Sequence, residues 1–163
     1  MQIQRILQNF ATTSEIYPYS IDEGFVDLTT SLNYFFPDPT LSRKEKLNLL
    51  SAQIQRAIWK ETGLYSTVGM SNANPLLAKL ALDNEAKNAK NMRANWSYED
   101  VETKVWGIEK MTDFWGVGSR REKRLNQLKI YTIKELAQAG ADLLKKRLGM
   151  MGVEMWFHAN GNA

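Results

Sequence analysis

The chain has 163 residues, room for one ordinary domain or two small ones, and 44% of them are hydrophobic, enough for a packed core. It has no cysteine and a single histidine, His158, which excludes disulfides, thiolate zinc sites and cysteine nucleophiles, and leaves a lone imidazole that cannot by itself form a triad or a metal site. The net charge of +3 is unevenly spread: residues 1–91 carry nine Lys/Arg against nine Asp/Glu, so the whole excess lies beyond residue 91.

Residues 2–10 place Ile3, Ile6, Leu7 and Phe10 at helical spacing with no capping residue before them. An uncapped start of this kind is expected to continue an element whose earlier part lies upstream. Residues 16–20 and 24–29 read as two strands of a hairpin around Asp22-Glu23. Residues 33–40, with Pro37 and Pro39, read as a loop. Ser42 and Glu45 form a capping box, Leu47, Leu50, Ile54 and Ile58 follow at three- to four-residue spacing, and Gly63 closes that helix. Residues 64–70 read as a strand and 71–74 as a polar turn, and Pro75 fits the first turn of a helix running to about Asn91.

Beyond that point the character changes. Residues 92–104 are polar, with Trp96 and Tyr98, and read as a connector. From Val101 onward short helical patterns alternate with Gly107, Gly116, Gly118, Gly140, Gly149 and Gly152, and no strand is expected. The expected fold is α+β: antiparallel or mixed strands covered by helices over residues 1–91, then a small all-α domain over 92–163. No apolar run approaches the ~20 residues of a membrane span, and the N-terminus has no signal-peptide pattern. Together with the absence of cysteine, this leads to an expected cytoplasmic location and no membrane partner.

Two segments carry chemistry. Asp22 and Glu23 put two hard anionic oxygen donors at the turn of a short hairpin, a bed suited to Mg²⁺ held by carboxylates and substrate phosphates. The plain alternative is an exposed acidic turn. The second segment is Phe114-Trp115-Gly116-Val117-Gly118-Ser119-Arg120-Arg121-Glu122-Lys123-Arg124-Leu125. Two glycines around one apolar residue make a tight turn, and the helix that follows points unpaired N–H groups outward. These groups form a cradle for one phosphate. Residues 116–134 hold six basic side chains (Arg120, Arg121, Lys123, Arg124, Lys129, Lys134) and one acidic, Glu122, a local excess that a phosphate backbone requires. A solvated helix face is the alternative for the charges, and an ordinary αα-hairpin for the glycines.

The string Ser-Ile-Asp-Glu-Gly-Phe-Val-Asp-Leu at 20–28 closely resembles the palm motif of Y-family translesion DNA polymerases, usually Ser-Ile-Asp-Glu-Ala-Phe/Tyr-Leu-Asp, with Gly24 as a mild departure. Within that family the chain is most similar to the bacterial UV-damage repair and mutagenesis branch, the ImpB/MucB/SamB type. The stretch from Val68 to Ala81 resembles the palm strand leading into the Leu-Ala-Lys helix. The segment 114–125 resembles the helix-hairpin-helix of the thumb, a DNA-backbone binder without a base code, and 148–161 resembles the end of that thumb.

The resemblance implies template-directed nucleotidyl transfer with two Mg²⁺ ions held by three carboxylates, two of them Asp22 and Glu23. It implies a triphosphate contact from Lys87, with Lys79 as the alternative. It also implies primer-template DNA held by Gly116, Val117, Gly118, Ser119, Arg120, Arg121, Lys123 and Arg124. The expected partners are therefore DNA and a deoxynucleoside triphosphate, and no processivity-clamp contact is visible. Asp27 is expected to be structural, Trp59, Trp106, Trp115 and Trp156 to be core, and His158 to sit in a closing helical turn. The third carboxylate, the fingers and the little finger have no counterpart in these residues. The chain is accordingly expected to be a fragment or truncated product with little or no polymerase activity. The rival expectation is a non-enzymatic, sequence-independent DNA-binding module with a vestigial metal site.

Overall fold

The computed structural model describes residues 2–163. Helix α1 (Gln2–Leu7) is followed by an antiparallel hairpin of β1 (Ile16–Pro18) and β2 (Gly24–Val26), with Tyr17 paired to Phe25. Helix α2 (Thr29–Phe35) then occupies part of a stretch read as strand and loop. Its start is set by Asp27, whose Oδ1 accepts hydrogen bonds from the Thr29 N–H at 3.0 Å and the Thr29 hydroxyl at 2.6 Å. The short run gave no helical period long enough to declare itself.

Helix α3 (Arg43–Thr62) behaves as its local signals dictate. Ser42 Oγ accepts from the Glu45 N–H at 3.1 Å, and the Glu45 carboxylate accepts from the Ser42 N–H at 2.9 Å. Gly63 closes the helix in the left-handed region at φ +72°, where a side chain would be strained. Leu47, Leu50, Ile54 and Ile58 form its buried face and meet Ile6, Leu28, Leu32 and Met70 in a first core. Burying each such side chain stabilises the fold by about 1.5–3 kcal/mol.

Strand β3 (Val68–Met70) is shorter than expected and pairs in parallel with β4 (Arg93–Asn95), which lies inside the stretch read as a connector. Three residues reading Arg-Ala-Asn carry no strand pattern. The pairing comes from tertiary contact, as it often does for short strands. Between them runs helix α4 (Pro75–Asn84), capped by Asn74, whose Oδ1 accepts from the Leu77 N–H at 3.0 Å. It ends at Asn84, short of Asn91, because the backbone at Glu85 leaves the helical region.

The rest is helical: α5 (Ser119–Gln127), α6 (Ile133–Gln138), α7 (Ala141–Leu148) and α8 (Met150–Ala159). Among the described residues no strand follows β4. These helices share a second core with α4, built on Leu77, Leu80, Trp96, Val105, Phe114, Leu125, Leu136, Leu144 and Met155. Of the tryptophans expected in the core, Trp106 and Trp156 are half-buried, whereas Trp59 is 50% exposed and Trp115 37% exposed. Trp96, in the expected connector, is the buried one at 3%.

The α+β class is therefore correct, with two two-stranded sheets against helices and a helical C-terminal part. Strand β3 lies directly on α4 at Gly69. A Cβ there would sit 2.5 Å from Leu82 N and 2.6 Å from Leu82 Cβ. The helix cannot retreat, because Leu76, Leu77 and Leu80 fill the core on its other side. Gly69→Ala is expected to cost about 3 kcal/mol, the upper part of the range for overpacking, measured as the loss of unfolding free energy in urea.

Candidate functional site

The hairpin turn positions its carboxylates through the backbone. The Tyr19 and Ser20 N–H groups both donate to the Glu23 carbonyl at 3.0 Å, closing the turn with Asp22 at its tip. Asp22 is exposed, and its Oδ1 accepts from the Ser20 hydroxyl at 3.1 Å. Glu23 is half-buried and turns inward. Gly24 suits the close approach of the strands, since a Cβ there would lie 3.2 Å from the Tyr17 carbonyl oxygen. All-oxygen, anionic donors suit a hard divalent ion such as Mg²⁺. Among the described residues no cluster of three or more His, Cys, Asp or Glu is arranged to hold one. The turn thus offers two donors of the right kind and not a whole coordination shell.

The inward-facing carboxylate has a partner that sequence reasoning set aside. Lys79 Nζ lies 2.8 Å from Glu23 Oε1 and 3.3 Å from Asp83 Oδ1, over the Tyr19 ring at 5.4 Å from its centroid. The side chain is only 9% exposed. Burial alone pushes the Lys79 ammonium toward a lower pKa. The hydrogen bond to Glu23 and the charge of Asp83 outweigh it and hold the pKa above the ordinary lysine value. Lys87, the expected triphosphate contact, is more exposed and shares Asp83 Oδ1 at 3.1 Å. One visible signal pointed to this arrangement: a lysine inside the apolar run Leu76–Ala81 with an acid four residues later.

The glycine turn is built differently from a plain helix end. Phe114 and Val117 are buried at 1% and 3%, anchoring both sides of Gly116, which adopts φ +95°. Gly118 is the extended cap of α5 and offers no side-chain acceptor, so the first N–H groups of that helix stay outward. The element before the turn is a 3₁₀ turn, Met111–Asp113, and not an α-helix. Ser119, Arg120, Lys123 and Arg124 are exposed. Arg121 is partly committed: its Nη1 donates to the Gly116 carbonyl at 2.7 Å.

The fold brings these two turns together. The Trp115 indole Nε1 donates to the Tyr19 hydroxyl at 3.3 Å, and the two rings meet edge to face at 6.4 Å. On its other side Trp115 stacks on His158, with centroids 6.1 Å apart and planes 20° apart. Asp83, Asn84 and Lys87 face Thr112–Gly118 across an open cleft of about 550 Å³. Tyr19, 96 residues from Trp115, was not singled out from sequence.

Residues 1–83 match the impB/mucB/samB family. The chain is 42% identical over 112 residues to the DNA repair protein homolog YobH of Bacillus subtilis, covering 69% of this chain and 51% of that protein. It is 38% identical over 161 residues to DNA polymerase IV 2 of the same organism, covering 99% of this chain and 36% of that one. It thus spans between about a third and a half of the length of these curated relatives. Among solved structures it superposes on a Y-family DNA polymerase chimera with a TM-score of 0.76 at 21% identity, covering 99% of this chain and 43% of that one. DinB from Sulfolobus solfataricus gives 0.72 at 22% identity, with 98% and 43% covered. At such identities these two likenesses speak for the fold.

Burial lowers the pKa of His158 below the ordinary histidine value, against an opposing pull from Glu154. The folded chain therefore holds this imidazole neutral at a pH where the unfolded chain already binds a proton. Stability from this group is present above the unfolded value, near 6.5, and is lost as pH falls through the folded value. Since Glu15, Asp38 and Asp100 are shifted below the usual carboxylate range, their contributions fade only at more acid pH. The melting temperature is expected to drop between pH 7.5 and 5.5 in the parent chain. In His158→Gln that drop should be absent, and an unchanged drop would remove His158 as its source.

Proposed function

This chain belongs to the impB/mucB/samB family of Y-family DNA polymerases, and from that membership we propose that it supplies a carboxylate turn and a backbone grip to a translesion polymerase acting in DNA repair. The observation that carries the proposal is the Tyr19–Trp115 contact, which sets the Asp22-Glu23 turn beside the Gly116–Gly118 turn. An acidic bed beside a basic cradle suits one nucleic acid strand whose end lies at the carboxylates and whose backbone runs over the glycines. The parts of this function divide at about residue 91, into a palm part and a thumb part, although the second core includes residues from both.

In the reaction the primer 3′-hydroxyl, losing its proton to solvent, would attack the α-phosphate of the incoming deoxynucleoside triphosphate, the new phosphodiester forming as the α–β phosphoanhydride bond breaks and pyrophosphate leaves. Mg²⁺, when bound, would supply charge stabilisation for such a displacement. Asp22, at the open tip of the turn, and Glu23, half-buried and paired with Lys79, are the carboxylates that would hold it. Lys87 reaches into the cleft as the cation for the triphosphate. The N–H groups opening α5, with Ser119, Arg120, Lys123 and Arg124, hold duplex phosphates in a helix-hairpin-helix manner without reading bases. Arg121 serves by fixing the Gly116 carbonyl. With two carboxylates, one already neutralised by Lys79, these 163 residues by themselves are expected to extend a primer little or not at all.

One observation favours a second reading, a DNA-binding module with a vestigial metal site: Glu23 is already paired. Two measurements separate the possibilities. The triple variant Arg120→Glu, Lys123→Glu, Arg124→Glu should lose duplex binding in fluorescence anisotropy. In the parent, log affinity should fall linearly with log salt at about −0.9 per phosphate neutralised. Unchanged binding in the variant would leave only a structural hairpin. Mg²⁺ titration of Asp22→Ala against the parent should show weaker binding in the variant, and equal binding would favour the vestigial reading.

A further inference from the structure

Lys79 touches no reacting atom in the chemistry described so far, yet it is paired with one of the two carboxylates of the turn, Glu23. Its Nζ is 2.8 Å from Glu23, 3.3 Å from Asp83 and 5.4 Å from the Tyr19 ring centroid, so a single ammonium is in contact with two anions and a π-face. Asp83 in turn accepts Lys87 at 3.1 Å. The four charges form one alternating row, Glu23–Lys79–Asp83–Lys87, from the half-buried side of the hairpin turn to the open cleft. A divalent ion on Glu23 and an ammonium on Oε1 of the same carboxylate are like charges a few ångströms apart, and each weakens the other's hold there.

We propose that Lys79 is an internal counter-ion that occupies the carboxylate turn in place of a metal and releases Glu23 to the metal by moving onto Asp83. This rests on the reading of Asp22-Glu23 as a metal bed. The alternative seat already exists. Lys79 and Asp83 stand one helical turn apart on α4 and are already hydrogen-bonded, so a small change of side-chain rotamer completes the exchange. No proton moves, and the ammonium stays charged in both positions.

The exchange has a consequence at the far end of the row. When Lys79 takes Asp83 fully, Lys87 loses its partner. Lys87, with 54% of its side chain exposed, then faces the cleft lined by Trp115, Gly116 and Gly118 as an unpaired cation. Metal entry at one end therefore makes a phosphate-binding cation available at the other. Lys79 is thus a positioning residue: it acts through Glu23 and Asp83, and touches neither phosphate nor metal. A purely structural lysine would make the opposite prediction, since removing it would loosen the carboxylates and weaken metal binding.

The test uses the full 163-residue chain and Mn²⁺ alone, with free Mn²⁺ followed by electron paramagnetic resonance. Lys79→Met keeps an apolar stem of similar length and removes the competing charge. It is expected to bind Mn²⁺ about tenfold tighter than the parent, the scale of one unit charge at a few ångströms in a partly solvated site. Asp83→Asn removes the second seat, leaves Lys79 on Glu23, and is expected to bind about tenfold more weakly by the same reasoning. Circular dichroism checks that each variant folds, and Asp83→Asn decides alone should Lys79→Met not fold. Equal Mn²⁺ affinity in the parent and the folded variants, or weaker binding in Lys79→Met, overturns the counter-ion role and leaves the metal bed standing. Absence of binding in every chain, Lys79→Met included, overturns the metal bed and the counter-ion role with it.

Discussion

A buried ammonium must find anions, and at Lys79 that requirement ties together parts of the chain that no local signal connects. Its stem lies on the apolar side of α4, its head reaches the hairpin turn, and the two carboxylates it meets are 60 residues apart. Removing either anion would leave a desolvated charge short of a partner, which is costly, so the turn and the helix hold each other in place. Of the two adjacent acids, Glu23 is the one this pairing engages, while Asp22 stays exposed and bonded to the Ser20 hydroxyl.

Helix α4 is placed to do this because its other contacts are fixed. Pro75 and the Asn74 side chain define its start, and the same Asn74 amide donates to the Gly161 carbonyl at 2.8 Å, tying that start to the end of α8. Gly69 lets β3 lie flush against it, and Leu77 and Leu80 enter the second core with no exposure. With its start tied, one side flush against a strand and its apolar face in the core, the helix delivers Lys79 and Asp83 to one defined place. Trp115 then completes the junction by joining Tyr19 to His158, so the hairpin turn is held from α4 on one side and from the C-terminal helices on the other.

What was legible in the sequence is what depends on neighbours within a few residues. The Ser42–Glu45 box, the Gly63 stop, the Asn74-Pro75 start and the glycine turn are all local hydrogen-bond or backbone requirements, and each appears where its residues predict. Helix α2 and strand β4 were not legible, since one is seven residues long and the other three, and each is held by what it packs against. Trp96 and Trp59 exchanged expectations for the same reason: a tryptophan's burial depends on which surface covers it, and periodicity within one helix does not say. At the site, Asp22 and Glu23 could be read as a pair of acids. Nothing within their own segment could say that one would be neutralised by a lysine 56 residues on.

The distribution of ion pairs shows how the charge imbalance is used. Every salt bridge among the described residues takes its cation from Lys44, Lys79, Lys87 or Lys104, all at or before residue 104. From Lys110 onward none of the cations has a carboxylate within bonding distance among the described residues, and this is the part that carries the excess charge. In the first part the charges of Lys44, Lys79, Lys87 and Lys104 are committed to carboxylates. Those in the second remain in solvent, where pairing among themselves would add little stability and their field extends over about a Debye length, roughly 8 Å at physiological salt. Around the Gly116–Gly118 turn that field lies on the face where Trp115 meets Tyr19, and on the proposed reading it is this field that would draw a polyanion toward the carboxylate turn.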